Sequence, residues 1–279
     1  MKIQSNSNGL VLLEHPLSPY AQKIRILLRE KKIPFVTRLP NYSDRVSQDA
    51  PLKQLSPRHE LPVLLHGKHV LYDSTIIIEY LEDSFPEPAM LPKTPLARAR
   101  SRMIEEICDT HYEAINWGLT EVDHFKRGGP KLAPTLRASG RHDLMMMFQW
   151  LERELGNQEW LEGAYFGWAD LAALPEVTSS ILYGVSPPPD STLHAWIKRA
   201  RGRPSVSLTL DEAAASLSVF DGAEERLNRG FKRQYRDHRL EWMIRAGGLQ
   251  VVVDGIAKAN IRFNEPDRFA EHRLPEKPV

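Results

Sequence analysis

The sequence predicts two domains, an α/β domain followed by an all-α domain. Three observations predict this. Short apolar runs of strand length alternate with amphipathic helical patterns over residues 1–84. Four prolines then crowd into Phe85–Pro95, the mark of an interdomain linker. Beyond the linker, helical spacing recurs and strand patterning almost vanishes. A chain of 279 residues can build two modest cores.

The elements follow in order. Leu10–Glu14 is an apolar run of strand length, and HPLSP is a loop. Tyr20–Lys32 reads as a helix with Ala21, Ile24, Leu27 and Leu28 inside. Lys23, Arg25, Arg29 and Glu30 form its expected wet face. Ser18 is an N-cap candidate and Pro19 suits a first turn. Phe35–Leu39 is a second strand, so strand, helix and strand imply a parallel crossover. The polar residues Asn41–Glu60 read as loop and short helix. Pro62–His66 and His69–Tyr72 pair through Gly67-Lys68 as a hairpin. Asp73-Ser74 opens a helix that buries Ile76, Ile77, Tyr80 and Leu81. This order is the thioredoxin-like arrangement.

In the second domain, residues 96–210, Arg98–Val122 reads as one helix. Gly128-Gly129-Pro130 breaks the pattern, and His142–Leu155 is the next helix. Met145–Met147 reads as core filler, since methionine packs irregular gaps. Asp170–Leu182 and Leu193–Arg201 are further helices, the latter closed by Gly202 and Pro204. Residues 211–279 form a C-terminal helical extension.

Composition narrows the function classes. Net charge is +1 with 26% charged residues, which demands neither nucleic acid nor a membrane surface as partner. No apolar run is long enough to cross a bilayer, and the N-terminus lacks an apolar signal core. The single Cys108 can form neither an internal disulfide nor a multi-cysteine metal site. A cytoplasmic protein is expected. His15, His59, His66 and His69 lack helical i, i+4 spacing and a placed acidic partner, so no metal is expected.

Three motifs together resemble the soluble glutathione transferase family, in its serine-type and cysteine-type branches, over residues 10 to about 206. The first is HPLSPYAQKIRILLREKKIPF, where Ser18 matches the position near the glutathione sulfur. The second is SPRHELPVLLHGKHVLYDSTIIIEYLED. Its Leu61-Pro62 matches the apolar residue and cis-proline that hold the cysteinyl part of glutathione, and its Asp73-Ser74 matches the pair that holds the γ-glutamyl end. The third is GAYFGWADLAALPEV, which resembles a buried capping box. Gly167 stands where that box has Ser or Thr, so only Asp170 remains to cap.

The resemblance implies glutathione as co-substrate, a small electrophile as second substrate and a homodimer. It implies that Ser18 donates a hydrogen bond to the thiolate and forms no covalent bond. A thiol of pKa ~8.5 is only a few per cent ionised at neutral pH, and lowering it by about two units takes roughly 2.7 kcal/mol. A hydroxyl and a helix N-terminus supply stabilisation of that order. From its local sequence alone Ser18 reads as an N-cap before a sulfur contact, and the coincidence with Pro62 and Asp73-Ser74 reverses that order; Tyr20 is a rival donor in a position that packs as an aromatic. His59, Lys53 and Arg45 are alternatives for the glycyl carboxylate. Tyr112 and Trp117, beside Asp109 and Glu113, are candidates for the second-substrate pocket or for plain core. Ether cleavage, dehalogenation and peroxide reduction fit the same site. So does a non-catalytic interaction or regulatory protein, which the extension would serve. Within that extension, Glu224–Ala246 reads as a helix with an apolar stripe through Leu227, Phe231, Tyr235, His238 and Trp242. It is a cover for the site, a basic helix for an anionic partner, or a packed hairpin.

Overall fold

The computed structural model of the chain describes residues 9–39, 52, 55, 56, 60–229, 237, 240 and 249–258. Strands β1 (Leu10–Leu13), β2 (Phe35–Arg38), β3 (Val63–His66) and β4 (His69–Tyr72) form one sheet in the order β2-β1-β3-β4. β2 runs parallel to β1, as the crossover through α1 (Pro19–Glu30) requires. β3 runs antiparallel to both β1 and β4. Leu10, Leu12 and Leu64 pack into the main core with α1 and α2 (Ser74–Ser84). Val11, Val63 and Leu65 face the opposite side and meet Leu52 and Leu55. Covering both faces explains why these strands read as continuous apolar runs.

The helical domain begins with α3 (Pro95–Ile107), which passes through a π-helical turn at Cys108–Tyr112 into α4 (Glu113–Asp123). α5 (Gly129–Leu155), α6 (Trp168–Leu182), α7 (Thr192–Arg201) and α8 (Pro204–Ala215) follow. A short turn of 3-10 helix at Leu217–Phe220 leads to α9 (Ala223–Asn228), and α10 (Leu249–Ala257) lies in the extension. One apolar core runs from Leu12 and Ile24 in the first domain to Trp168 and Leu174 in the second. No helix among the described residues is long and apolar enough to cross a membrane. Phe231, Tyr235, His238 and Trp242 lie outside the described residues.

Four expectations change. The wet face of α1 is largely buried: Lys23 and Arg25 are 1% and 3% exposed, because the helical domain covers that side. Arg25 and Arg29 pair with Glu212 of α8, and Arg203 and Ser205 pair with Glu30. Second, Gly128 and Gly129 take positive φ and Pro130 fills a first turn, so this triplet starts a 27-residue helix. Third, Pro204 opens α8 where the sequence suggested a stop, and residue 211 falls inside that helix. Its small residues gave little periodicity to read. Fourth, Ile76, expected on the inner side of α2, is exposed. The linker between the domains is pinned. Glu82 Oε1 accepts from Met90 N and Leu91 N at 2.8 and 3.0 Å, and Lys31 Nζ donates to the Phe85 and Pro88 carbonyls, each at 2.7 Å.

The start of α6 shows why a glycine replaces the capping hydroxyl. A Cβ on Gly167 would lie 2.8 Å from the Met90 carbonyl oxygen of the linker, which is backbone and has little room to yield. That carbonyl already accepts from Trp168 N at 2.9 Å. Glu162 takes over the missing hydroxyl's task, accepting from Ala169 N at 2.9 Å. Asp170 completes the cap. Its carboxylate accepts from Leu161 N, Gly167 N and the indole of Trp196 at 2.9, 3.0 and 2.7 Å. Burial pushes this carboxyl up to about 7, against those three donors. Restoring the hydroxyl by Gly167→Ser should therefore destabilise the fold, by about 1–3 kcal/mol from overpacking. Urea unfolding of G167S beside the parent checks this. Equal or higher stability would show that the linker carbonyl is not the constraint.

Candidate functional site

α1 begins where β1 delivers the chain to the interdomain face. Ser18 caps it with extended backbone (φ −75°, ψ 119°), and its Oγ accepts from Ala21 N at 3.4 Å. The preceding turn is held by His15, whose carbonyl accepts from Ser18 N at 2.9 Å and whose Nδ1 accepts from Leu17 N at 3.2 Å. An accepting Nδ1 must be unprotonated, and burial lowers the His15 pKa in the same sense. The Ser18 hydroxyl donates to no other group among the described residues. Tyr20 differs, since its phenol donates to the Asp109 carbonyl at 2.6 Å. That proton is engaged, which leaves Ser18 the better donor of the two.

The second element is the turn into α2. The Leu61–Pro62 bond is cis. Asp73 takes φ 75° and ψ 126°, a region costly for a residue with a Cβ. Its carboxylate compensates by accepting from Thr75 N and Ile76 N at 3.1 and 3.4 Å. The turn presents buried Ser74 at the first position of α2, where backbone N–H groups attract an anion.

The turn into α2 opens on a cavity of about 880 Å3 between the domains. Tyr20, Leu61, Pro62, Asp73 and Ser74 all line it. Ser18 stands two residues from Tyr20 and outside that lining. The far wall is one face of α3 and α4. Tyr112 does not belong to it. The residue is fully buried in the helical core, with its hydroxyl 2.8 Å from Ser180 Oγ and its ring beside Phe148. The π turn adds a residue at this point, so a straight α-helical count misplaces the face. Thr110, Glu113 and Ala114 line the cavity instead, and Trp117 lies outside it. His59, Lys53 and Arg45 fall outside the described residues. Among the described residues no three metal-binding side chains converge.

The charge cluster behind the cavity was not legible in the sequence, where Lys23 passed for a solvated residue. Its ammonium reaches Glu105 Oε1 at 2.7 Å and Asp109 Oδ2 at 2.5 Å. Burial opposes the charge on Lys23, yet Asp109 and Glu105 hold its pKa above the ordinary range. Burial pushes the Asp109 carboxyl up to about 6, with Lys23 opposing and Glu105 adding to the rise. Glu105 also accepts from Trp168 Nε1 at 2.6 Å and from Thr75 Oγ1 at 2.9 Å. Acidic residues at i, i+4 spacing (Glu105, Asp109, Glu113) were the signal that could have exposed this wall. Cys108 is buried beside it, and burial raises its thiol pKa well above the usual value, as suits an unreactive packing residue.

Comparison with known proteins identifies the family. The family model for the N-terminal domain of glutathione S-transferase matches residues 12–89. The chain is 30% identical to FtsZ-localized protein A of Caulobacter vibrioides over 199 residues, 68% of this chain and 85% of that protein. The chain belongs to the glutathione transferase family. It is also 27% identical to Glutathione S-transferase U28 of Arabidopsis thaliana over 220 residues, 74% of this chain and 91% of that one. A solved glutathione S-transferase from Rhodospirillum rubrum superposes with a TM-score of 0.64 at 25% identity, covering 72% of this chain and 91% of that structure. The glutathione transferase family fold therefore accounts for both domains, the four-stranded sheet and the helical half.

Lys23→Met should remove the one cation from a pair of buried carboxylates. Its expected cost is about 3–5 kcal/mol at neutral pH. The loss should shrink in acid as Asp109 takes up a proton, because a carboxyl whose folded pKa is raised stabilises the fold at low pH and ceases to as pH rises through that pKa. Chemical denaturation of K23M at pH ~5 and ~8 measures both, and a cost that does not depend on pH contradicts the assignment.

Proposed function

We propose that this chain is a glutathione transferase that activates the thiolate of glutathione for attack on a small electrophile. The observation that carries the reading is that one cavity is lined by Leu61, Pro62, Asp73 and Ser74, and by Tyr20, two residues beyond the Ser18 that caps α1. Ser74 and the first turn of α2 suit the γ-glutamyl carboxylate. Asp73 suits the γ-glutamyl ammonium, and Leu61-Pro62 the cysteinyl backbone. Ser18 donates a hydrogen bond from its hydroxyl to the thiolate sulfur, aided by the N-terminus of α1. The thiol proton leaves to solvent. Sulfur then bonds to the electrophilic carbon, and the leaving group departs with its bonding electrons. A homodimer in the cytoplasm is part of the same proposal.

A second reading is a family member used as an interaction or regulatory protein. It is favoured by the similarity to FtsZ-localized protein A, whose name records localisation to FtsZ. The intact Asp73-Ser74 pair weighs against it.

Ser18→Ala should lower kcat/KM for conjugation of glutathione to an aryl halide by about 10²-fold, the scale of one lost charge-stabilising donor. Tyr20→Phe should change it by only a few fold. Calorimetry with glutathione is the companion measurement. Absence of both binding and turnover in the parent protein would sink the transferase reading and leave the interaction reading.

A further inference from the structure

The chain leaves the helical domain over an aromatic cluster. After α8, the 3-10 turn at Leu217–Phe220 lays the Phe220 ring on His124, the residue that closes the C-terminal end of α4. The two rings are nearly parallel, at 11°, with centroids 3.9 Å apart. Tyr183, at the end of α6, meets the same imidazole edge-on at 5.9 Å, and Phe125 meets Phe220 edge-on at 6.3 Å. The surroundings are themselves fixed. Thr120 donates to the Asn116 carbonyl at 3.0 Å, so its hydroxyl oxygen accepts from the Tyr183 phenol. Arg226 of α9 donates to the Val219 and Asp221 carbonyls on either side of Phe220. Beyond this root the chain contributes Asp237 to the lining of the interdomain cavity.

His124 therefore packs as a neutral, largely apolar ring. Its Nε2 is buried and has no hydrogen-bond partner among the described residues. The imidazolium must hold an N–H at that atom. Leaving such a donor without an acceptor costs about 1–3 kcal/mol, against roughly 0.5–1 kcal/mol for a cation over an aromatic face. Two charged groups act on the ring, both from its own segment: Asp123 favours the charge and Lys126 opposes it. α6 brings the Tyr183 phenol and the turn brings Phe220, both uncharged. Burial is the largest of these influences and lowers the His124 pKa.

We infer that His124 is a pH-sensitive latch on the root of the C-terminal extension: the neutral imidazole holds Phe220, and the imidazolium releases the Leu217–Phe220 turn. The sign follows from linkage. A histidine whose pKa is lowered by docking leaves the docked state at full strength above the free value of about 6.5 and weakens it as pH falls below that.

The test is fluorine NMR on the full chain labelled with 4-fluorophenylalanine, with the Phe220 signal assigned by its loss in F220L. Between about pH 6.5 and 5 this signal should move from its docked position toward that of the label in an unstructured peptide, while the signal of the core residue Phe148 stays in place. H124F keeps an aromatic ring there and removes the titrating group, so its Phe220 signal should stay docked across the range. A parent signal that does not move overturns the inference. So does one that moves together with Phe148, or one that moves equally in H124F, because a different group would then be titrating. The imidazole Cε1–H resonance of His124 in the unsubstituted protein gives a second measurement. It should titrate below free histidine, and a midpoint at or above the free value overturns the latch. Neither measurement involves glutathione, so the latch and the transferase reading stand or fall separately.

Discussion

One ammonium group joins the two domains. Lys23 lies on the first helix of the α/β domain, yet its partners Glu105 and Asp109 belong to α3 and to the π turn that follows it in the other. A charge buried this deeply is tolerated only when paired and hydrogen-bonded. The pairing brings four helices to one point, since Thr75 of α2 and the Trp168 indole of α6 bond the same Glu105. Apolar side chains of equal volume would hold the domains as firmly. The ions add direction, because they specify which turn of α3 meets which turn of α1. The cavity wall is the outer side of that turn.

The same helix explains why α8 is part of the body. Arg25 and Arg29 reach Glu212, while Glu30 receives Arg203 and Ser205. α1 is thus gripped along one side by α3 and α6 and further along by α8. Its apolar stripe faces the sheet. A helix covered on all sides has no wet face to show, and its polar residues become interface residues. The linker obeys the same logic, with Lys31 and Glu82 holding its carbonyl and N–H groups on one side and Trp168 N on the other.

Much of the first domain was legible because its cues are local. The strand lengths, the Gly67-Lys68 hairpin and the Asp73 cap each depend on neighbours in sequence. The positions Leu61, Pro62, Asp73 and Ser74 came from the resemblance to the family's motifs, and all four line one cavity. What escaped the sequence depends on partners far along the chain. The burial of Lys23 follows from residues more than eighty positions away. Gly167 looked like a defective cap until the linker carbonyl beside it was seen. Tyr112 was misplaced because no residue pattern announces a π turn. α8 was missed because Ser, Thr and Ala dilute its apolar spacing.

On the glutathione reading, two opposed effects would meet at the sulfur. Glu105 and Asp109 lie on the cavity wall, and a negative charge near a thiol works against its ionisation. Lys23 answers both from behind the wall, with its ammonium shared between them. Ser18 and the N-terminus of α1 would work for ionisation, on a scale of about 2–4 kcal/mol together. The ammonium that fixes how the two domains meet would therefore also temper the field in which the thiol ionises.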